Sequence, residues 1–205
     1  MIHSSRPHRK EPEPNGKGAL RAAATAARDA LSPRERENGA QIVATRCRPI
    51  IRAVNPRCLA GYAPIRSEID PSDVLRSVHA AGAAIGLPAV TGPTAIVFRR
   101  WEPGEPLIAG RFGTRAPALS APIVEPDLIL VPVVAFDRSG ARLGYGRGYY
   151  DRAIAALHSR GRRPPLVGLA FSVQEVPRIP RESHDIRLDW IVTETETLDF
   201  TAKSA

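Results

Sequence analysis

The residues of this chain best suited to chemistry lie in one continuous segment, residues 127–152, which reads DLILVPVVAFDRSGARLGYGRGYYDR. Residues 128–136 predict a central strand, because a short, continuous apolar run suits a strand that is covered on both faces. The glycines that follow allow positive φ and a close approach of the backbone to a ligand; they are Gly140, Gly144, Gly146 and Gly148. A helix beginning near Tyr149 would direct its free N–H groups and positive dipole end at an anion. The segment therefore predicts a phosphate-binding site.

The glycine loop matches neither of the two common nucleotide-binding fingerprints. Its spacing is Gly144-x-Gly146-x-Gly148 rather than GxGxxG, and no Gly-Lys-Ser/Thr follows. The glycines alone leave a simple tight turn open as an alternative. The arginines around the loop favour an anion site, because a guanidinium fork suits phosphate or carboxylate oxygens. Of these we expect Arg142 and Arg147 to face a ligand and Arg152 to lie in solvent.

Two aspartates are candidate metal ligands. Asp151 falls in the first turn of the predicted helix, where an acid favours the helix dipole whether or not it binds anything. Beside a phosphate site, however, a carboxylate is also a natural partner for Mg²⁺, which needs only one or two protein oxygens. Asp185 is the second candidate, with an ordinary loop acid as the alternative, and the sequence leaves open whether Asp185 or Asp189 faces the metal.

These residues must be positioned by a framework of alternating strands and helices. Ser32, Pro33 and Glu35 match an N-cap, a first-turn proline and a capping-box acid. Helices are predicted over residues 17–31, 33–51, 70–81 and 149–160. Strands are predicted over residues 58–62, 84–87, 95–99, 128–136, 166–171 and 190–193, with residues 102–126 forming an irregular connection. This alternation predicts an α/β domain with a mainly parallel sheet.

Composition limits the classes of function. A chain of 205 residues with 43% hydrophobic residues can form one domain with a sizeable core, which we expect at residues 17–200, between a disordered leader (1–16) and a tail (201–205). The net charge of +8 raises the question of nucleic acid, but the cations are scattered and lack an aromatic stacking platform, so we expect no nucleic-acid partner. Cys47 and Cys58 form no metal or CxxC pattern, which favours a reduced, cytoplasmic protein. No apolar run reaches the length of a membrane span, and we expect a monomer.

Several motifs in order resemble the 5-formyltetrahydrofolate cyclo-ligase (5,10-methenyltetrahydrofolate synthetase) family. The glycine loop in FDRSGARLGYGRGYYDR is similar to the family's signature, and Lys17-Gly-Ala-Leu-Arg21 resembles its N-terminal Lys-x-x-x-Arg. The stretch YAPIRSEID, residues 62–70, resembles the segment that ends in a substrate-binding glutamate. Gly168-Leu-Ala-Phe and Pro180-x-Glu182-x-His184-Asp185 resemble the C-terminal pattern.

The resemblance implies a fold and a reaction. The fold is a doubly wound, mainly parallel sheet with helices on both faces, a three-layer sandwich of the NagB/RpiA/CoA-transferase type. The reaction is the ATP-dependent closure of 5-formyltetrahydrofolate to 5,10-methenyltetrahydrofolate, with ADP and phosphate as the other products. ATP is a co-substrate and Mg²⁺ the cofactor, so the implied partners are small molecules.

The resemblance also assigns roles to residues of this chain. Arg147 is the catalytic residue, stabilising the transferring phosphoryl group, although the family more often has glycine or lysine there. The implied ATP-binding residues are Lys17, Gly18, Ala19, Leu20, Arg21, Arg142, Leu143, Gly144, Tyr145, Gly146, Arg147, Gly148, Tyr149 and Tyr150. The implied folate-binding residues are Ala63, Glu68, Tyr145, Gly146, Arg147, Gly148 and Tyr149, and the implied metal ligands are Asp151 and Asp185.

Two other functions remain open at this point. A protein that kept the fold and the phosphate loop could act on a different substrate, because function depends on the site rather than on the fold. A basic, non-catalytic folate or nucleic-acid binder is the alternative from another class. Retention of the full set of charged candidates argues against lost catalysis; the set is Lys17, Arg21, Glu68, Asp151 and Asp185.

Overall fold

A computed structural model describes residues 16–110 and 113–201, and within them strands and helices alternate. Seven strands form one sheet, in the order β11-β10-β9-β6-β1-β2-β3. The five inner strands run parallel, and the two edge strands, β3 and β11, run antiparallel to their neighbours. The prediction of a mainly parallel α/β sheet is therefore confirmed.

The strands of the main sheet are β1 (Cys58–Ala60), β2 (Ala84–Val90), β3 (Ile96–Trp101), β6 (Leu128–Pro132), β9 (Leu166–Leu169), β10 (Trp190–Val192) and β11 (Thr197–Asp199). Two small antiparallel pairs lie outside it: β4 (Ile108–Ala109) with β5 (Arg115–Ala116), and β7 (Ala135–Phe136) with β8 (Arg142–Leu143). The helices are α1 (Lys17–Asp29), α2 (Pro33–Val54), α3 (Ser72–Ala80) and α4 (Tyr149–Ser159), with a 3-10 turn at Ser172–Gln174. Among the described helices, none combines the length and the apolar character that a membrane span requires.

Alternating strand residues bury both faces of the sheet. On one face, Leu128 and Leu130 of β6 pack in a core with α2 and α3. On the other face, Ile129 and Val131 pack in a second core with α4. Because successive strand side chains point to opposite faces, one apolar run fills two cores at once. Helices thus cover both faces, and the predicted three-layer sandwich is confirmed.

Local signals set the helix ends largely as the sequence predicts. Ser32 Oγ accepts a hydrogen bond from the Glu35 amide, and the Glu35 carboxylate accepts one from the Ser32 amide, which completes the predicted capping box of α2. That helix continues to Val54, past the predicted end at residue 51. It ends at Asn55, which has a φ of 48°, a left-handed conformation that asparagine tolerates.

The structure corrects the predicted central strand. Residues 128–136 are not one strand, because β6 ends at Pro132 and the chain leaves the sheet. The carbonyls of Val133 and Val134 accept hydrogen bonds from the Gln174 side-chain amide at 2.7 and 2.9 Å instead of from a neighbouring strand. Beyond this break, β7 pairs with β8 and carries the chain towards the glycine loop.

The remaining differences concern short or terminal elements. The strand β11 and the pair β4–β5 were not predicted, since two or three residues carry little periodicity. The predicted leader and tail fall mostly on residues 1–15 and 202–205, which lie outside the described residues. Whether residues 17–200 act as a single domain stays a prediction.

Candidate active site

The sheet has one point at which its strand order reverses. From β1 the chain proceeds to β2 and β3 on one side, and from β6 it proceeds to β9, β10 and β11 on the other side. Strands β1 and β6 are neighbours and parallel, so their carboxyl ends open side by side. Ligands of open α/β sheets bind in the crevice at such a switch point. The segment after β1 carries Glu68, and the glycine loop lies beyond β6, which brings two predicted halves of the site to one crevice.

Three of the four predicted glycines have a conformation that other residues avoid: Gly140, with a φ of +81°, and two glycines further along the loop. Gly146 has a φ of +87°, and Gly148, the N-cap of α4, has a φ of +61°. A side chain at either position would be strained, so the loop requires glycine there. Gly144 differs from the prediction, because it is not among the described residues with positive φ. Its carbonyl instead accepts a hydrogen bond from Arg21 Nε at 2.8 Å.

The first helix delivers cations to the loop. The guanidinium of Arg21 lies over the loop, about 3.4 Å from the point where a Cβ of Gly146 would stand. Lys17, one helical turn earlier, donates from Nζ to Asp185 at 2.8 Å and lies 3.3 Å from a Glu182 oxygen. Burial opposes the charge on Lys17, but the hydrogen bonds to the two carboxylates outweigh it and raise the lysine pKa. Gly18, Ala19 and Leu20 occupy the same turn of α1.

The candidate metal ligand Asp151 is held by the loop arginine. Its Oδ1 accepts hydrogen bonds from Arg142 Nη2 at 2.8 Å and from the Ile186 amide at 3.2 Å. The Arg142 side chain is only 5% exposed and also donates to the Ile186 carbonyl. Burial lowers the pKa of Arg142, while Asp151 opposes that shift. Asp151 therefore connects α4 to the loop that carries Asp185.

Asp185 and Asp189 have different surroundings. Asp189 accepts a hydrogen bond from the amide of Leu166, the first residue of β9, and so lies at the amino end of a parallel strand. The crevice lies at the carboxyl ends, so the geometry favours Asp185 as the metal candidate. Burial opposes ionisation of Asp185, but the hydrogen bonds from Lys17 and from the Glu182 amide, together with the Lys17 charge, outweigh it and lower the aspartate pKa.

The chemistry of these donors fits a hard divalent cation. Asp151 and Asp185 offer carboxylate oxygens, the ligand type that Mg²⁺ prefers. One further group, Glu182, His184 and Asp185, has ligand atoms within 4.8 Å of one another. Each of the two aspartates is paired with a cation, so a divalent ion would compete with Lys17 and Arg142 for the same oxygens.

Glu68 forms the other side of the crevice. It is buried, and its Oε2 accepts a hydrogen bond from the Ile65 amide at 2.9 Å. Burial raises the pKa of this carboxyl, whereas the Ile65 amide, the Arg28 charge and the Tyr145 hydroxyl oppose the rise. Ala63 is half-buried in the same segment. Tyr145 belongs to the glycine loop and accepts a hydrogen bond from Arg28, which also donates to Ser67 beside Glu68, so the two halves meet.

Three predicted aromatic and apolar site residues have distinct placements. Leu143 packs in a small core with α1, and Tyr150 is largely buried against Phe98, so backbone atoms are what these two positions can offer a ligand. Tyr149 donates from its hydroxyl to the Pro93 carbonyl at 3.1 Å. Arg147 is exposed on the loop.

Arg152 is exposed, as expected, but its guanidinium makes specific contacts. Its Nε donates to the Thr94 carbonyl at 2.6 Å, another guanidinium nitrogen donates to the Arg147 carbonyl, and the group lies 5.8 Å from the centre of the Tyr149 ring. Arg152 therefore ties the glycine loop to the turn between β2 and β3. Nothing in the local pattern marks this contact, since 58 residues separate the two partners.

Sequence reasoning also missed Arg28, which lies fully buried beside Glu68 and Tyr145. A usable signal existed, because Arg28 follows Arg21 by seven residues and therefore shares its helix face. An arginine on the face that meets the glycine loop is a candidate for a role in the site.

The fold defines a doubly wound α/β protein, and its switch point carries the candidate ligand site. The sequence matches the family model described as "5-formyltetrahydrofolate cyclo-ligase family" over residues 13–194. The chain belongs to that family, and the predicted family and the prediction of an enzyme of this kind are both confirmed.

Named relatives agree with the family match. The chain is 29% identical over 179 residues to the 5-formyltetrahydrofolate cyclo-ligase of Escherichia coli K12, covering 84% of this chain and 97% of the relative. It is 33% identical over 149 residues to the enzyme of that name from Mycolicibacterium smegmatis, covering 68% of this chain and 75% of the relative. The solved 5,10-methenyltetrahydrofolate synthetase of Aquifex aeolicus superposes with a TM-score of 0.74 at 32% identity, covering 90% of this chain and 92% of that one. The family name gives the substrate class, a formylated folate.

Proposed function

We propose that this enzyme converts 5-formyltetrahydrofolate to 5,10-methenyltetrahydrofolate with consumption of ATP in the presence of Mg²⁺. The observation that carries the proposal is the meeting of two unlike surfaces in one crevice. A cationic glycine loop with two carboxylates lies on one side, and a buried carboxylate, Glu68, lies on the other. The first suits a triphosphate with its metal, and the second suits a ring that carries several N–H donors.

The reaction needs ATP for a chemical reason. The formyl group on N5 is an amide, and its oxygen is a poor leaving group. In the proposed sequence the formyl oxygen attacks the γ-phosphorus and ADP departs. N10 then adds to the activated formyl carbon and loses its proton, and inorganic phosphate leaves with the former formyl oxygen. Such chemistry leaves the protein mainly with positioning and charge stabilisation.

The triphosphate would lie along the glycine loop. Positive φ at Gly146 and Gly148 allows the backbone to approach an anion closely, and α4 begins immediately after with its free N–H groups. Arg21 is already held against the loop by the Gly144 carbonyl, and it would contact phosphate oxygens. Lys17 would exchange its carboxylate partners for phosphate.

Mg²⁺ would be held by Asp151 and Asp185, and when bound it neutralises phosphate charge. Arg142 and Lys17 can then pair either with the two aspartates or with phosphate oxygens. Arg142 and Lys17 neutralise these aspartates in the structure described above. Phosphate oxygens could take over both cations once the carboxylates serve the metal.

The folate would lie against Glu68. An ionised carboxylate accepts hydrogen bonds from adjacent ring N–H and amino groups together, which fixes the orientation of the ring. Ala63 would line the same pocket, and Tyr145 and Tyr149 would border it from the glycine loop. Arg147 would stabilise the negative charge of the transferring phosphoryl group. Its carbonyl is fixed by Arg152, so its backbone is positioned from α4.

One assay tests the proposal directly. Purified protein with Mg-ATP and 5-formyltetrahydrofolate should produce the near-ultraviolet absorbance of the methenyl product, matched one to one by ADP. Omission of either ATP or Mg²⁺ should abolish the signal. Absence of turnover across a wide range of substrate concentrations would overturn the proposal, and ADP release without the methenyl product would indicate another acceptor.

A further inference from the structure

Arg28 is a deeply buried cation. It lies in the last turn of α1 and is 0% exposed, so it is buried even more deeply than Arg142, whose side chain is 5% exposed. A buried guanidinium loses its hydration, so it persists only where hydrogen bonds and negative charge compensate for that loss. Its partners therefore indicate what it does.

The guanidinium of Arg28 joins three separate segments. Nε donates to Ser67 Oγ at 2.9 Å, in the segment that carries Glu68. Nη2 donates to the Tyr145 hydroxyl at 3.1 Å, on the glycine loop 117 residues away. Nη1 is buried and has no hydrogen-bond partner among the described residues. Ser67 Oγ in turn donates to Asp29, which completes the chain of contacts back to α1.

The contact with Tyr145 has a directional consequence. A phenol oxygen has a single proton, and an arginine can only donate, so the Tyr145 oxygen must act as acceptor towards Arg28. The phenol proton then remains for another acceptor. The Tyr145 hydroxyl is one of the groups that oppose the rise in the Glu68 pKa. Arg28 thus holds a tyrosine whose hydroxyl supports the ionised glutamate.

We propose that Arg28 is a positioning residue of the folate site, which holds Tyr145 of the glycine loop against the segment of Ser67 and Glu68 through its hydrogen bonds to the Tyr145 hydroxyl and to Ser67 Oγ. This inference rests on the proposed function, because it takes Glu68 as the folate-binding group. Arg28 acts through Tyr145 and Glu68 and not on the reacting atoms. The glycine loop and the folate pocket would then share one buried guanidinium.

The charges around Glu68 make the inference measurable through pH. Arg28 from α1 and Arg66 from the same segment oppose the burial that raises the Glu68 pKa, as does the Tyr145 hydroxyl. Tyr62 and Tyr150, which are also close, stay neutral because burial raises their pKa values. Removal of the Arg28 charge should raise the Glu68 pKa further, so that the carboxylate is protonated at a higher pH.

The experiment measures 5-formyltetrahydrofolate binding by titration calorimetry, and turnover where it occurs, from pH 5 to pH 8. Arg28→Met should weaken folate binding about tenfold at neutral pH, the size expected for one lost charge-assisted interaction. It should also move the acid limb, the part of the pH profile in which folate binding weakens as pH falls, to higher pH. The KM for ATP should change less than folate binding, because Arg28 contacts the loop through the Tyr145 side chain. Tyr145→Phe, which keeps the core of the protein intact, should move the limb in the same direction by a smaller amount.

Arg57→Met is the matched control, because the Arg57 side chain is 91% exposed. Its ion pair with Asp127 is long, at 4.0 Å. Circular dichroism shows whether each variant folds, and if Arg28→Met does not fold, Tyr145→Phe carries the test. An unshifted limb in a folded Arg28→Met or Tyr145→Phe variant would overturn the inference. If the wild-type protein binds folate but does not turn it over, the proposed function fails. The pH dependence of folate binding in the variants still tests the role of Arg28 in that case. Loss of all folate binding in wild type would overturn both.

Discussion

The Lys17–Asp185 pair on one side of the crevice and the Glu68 and Arg28 side chains on the other differ in burial, whereas Arg142 on the loop side is only 5% exposed. On the glycine-loop side, Lys17 pairs with Asp185, and both side chains keep contact with solvent, at 19% and 25% exposure. On the folate side, Glu68 and Arg28 are buried and held by several fixed hydrogen bonds. The first arrangement can exchange partners at low cost, because water and ligand compete for the same atoms. The second is pre-organised, and a change there alters buried groups that water cannot rescue.

This difference suggests a division of labour. A triphosphate and its metal carry several charges, and a site for them benefits from ion pairs that open when the ligand arrives. A pterin ring is nearly uncharged, so its orientation depends on fixed acceptors. Substitutions on the glycine-loop side should therefore affect turnover or the KM for ATP, and substitutions on the folate side should affect the KM for folate.

The largest expected effect is at Asp151. Asp151→Asn keeps an oxygen that can accept from the Ile186 amide and from Arg142, but it removes the charge that a metal ion needs. We expect kcat to fall about a hundredfold or more, the usual scale for the loss of one electrostatic group in a transition state, with little change in the folate KM.

Asp73→Asn is the control, since Asp73 pairs with Arg76 on the surface of α3. Steady-state kinetics at saturating Mg²⁺ would measure both variants. A kcat for Asp151→Asn equal to that of the control would remove the metal role of Asp151.

The next effect is at Glu68 and should fall on folate alone. Glu68→Gln retains an acceptor for the Ile65 amide but has only one oxygen and no charge, so it cannot accept from two ring N–H groups. We expect the KM for 5-formyltetrahydrofolate to rise about 10- to 100-fold, the range for hydrogen bonds to a charged group, while the KM for ATP stays constant.

Glu125→Gln serves as the control, because Glu125 makes exposed ion pairs with Arg160 and Arg162. Initial rates at varied folate and fixed ATP would test this. An increase in the ATP KM of similar size would show that the two sides are not separate.

A smaller effect is expected at Lys17 and should fall on ATP. Lys17→Met removes a cation that phosphate would contact, so the KM for ATP should rise about tenfold at low salt, with the folate KM unchanged. Because the pair is partly exposed, added salt should narrow the difference from wild type. A variant that is insensitive to ionic strength, or one affected in folate KM, would contradict the exchange of ion pairs.

The smallest effect is the acid limb of the wild-type enzyme. Burial raises the Glu68 pKa, and the ionised form binds the ring, so kcat/KM for folate should fall a few-fold as pH decreases towards 5, above the ordinary pKa of about 4.3. Stability responds with the opposite sign. A raised pKa favours the protonated folded state, so this group's contribution to the free energy of unfolding is present at low pH and is lost as pH rises through its folded pKa. Kinetics and chemical denaturation from pH 4.5 to 8 would check both trends.

Local patterns in the sequence were enough to predict the framework and the position of the glycine loop. The capping box at Ser32, the apolar run of β6 and the glycine spacing before Tyr149 act within a few residues, and these signals gave the right helices and sheet type. The role of Glu68 came from resemblance to a family, since an isolated glutamate in a loop has no distinctive pattern.

Long-range partners could not be predicted. Gln174 donates a hydrogen bond to the Val133 carbonyl just after β6, about forty residues away in sequence. Arg152 donates to the Thr94 carbonyl, 58 residues away. Arg28 and Tyr145 are 117 residues apart. Such contacts follow from how the sheet brings segments together, and no propensity or periodicity encodes them. The assignment of each predicted residue to a substrate stays a prediction.

The adjacency of β1 and β6 at the centre of the sheet also has a consequence for how the enzyme folds. Cys58 and Asp127, 69 residues apart, join these strands through backbone and side-chain hydrogen bonds. Closing so long a loop is slow compared with forming a helix or a hairpin. Until it closes, Glu68 and the glycine loop are on unconnected parts of the chain. A ligand that bridges them can therefore bind only the fully assembled domain, and it should stabilise that state by mass action. During refolding, folate-and-nucleotide binding therefore cannot appear faster than the central strand pair forms.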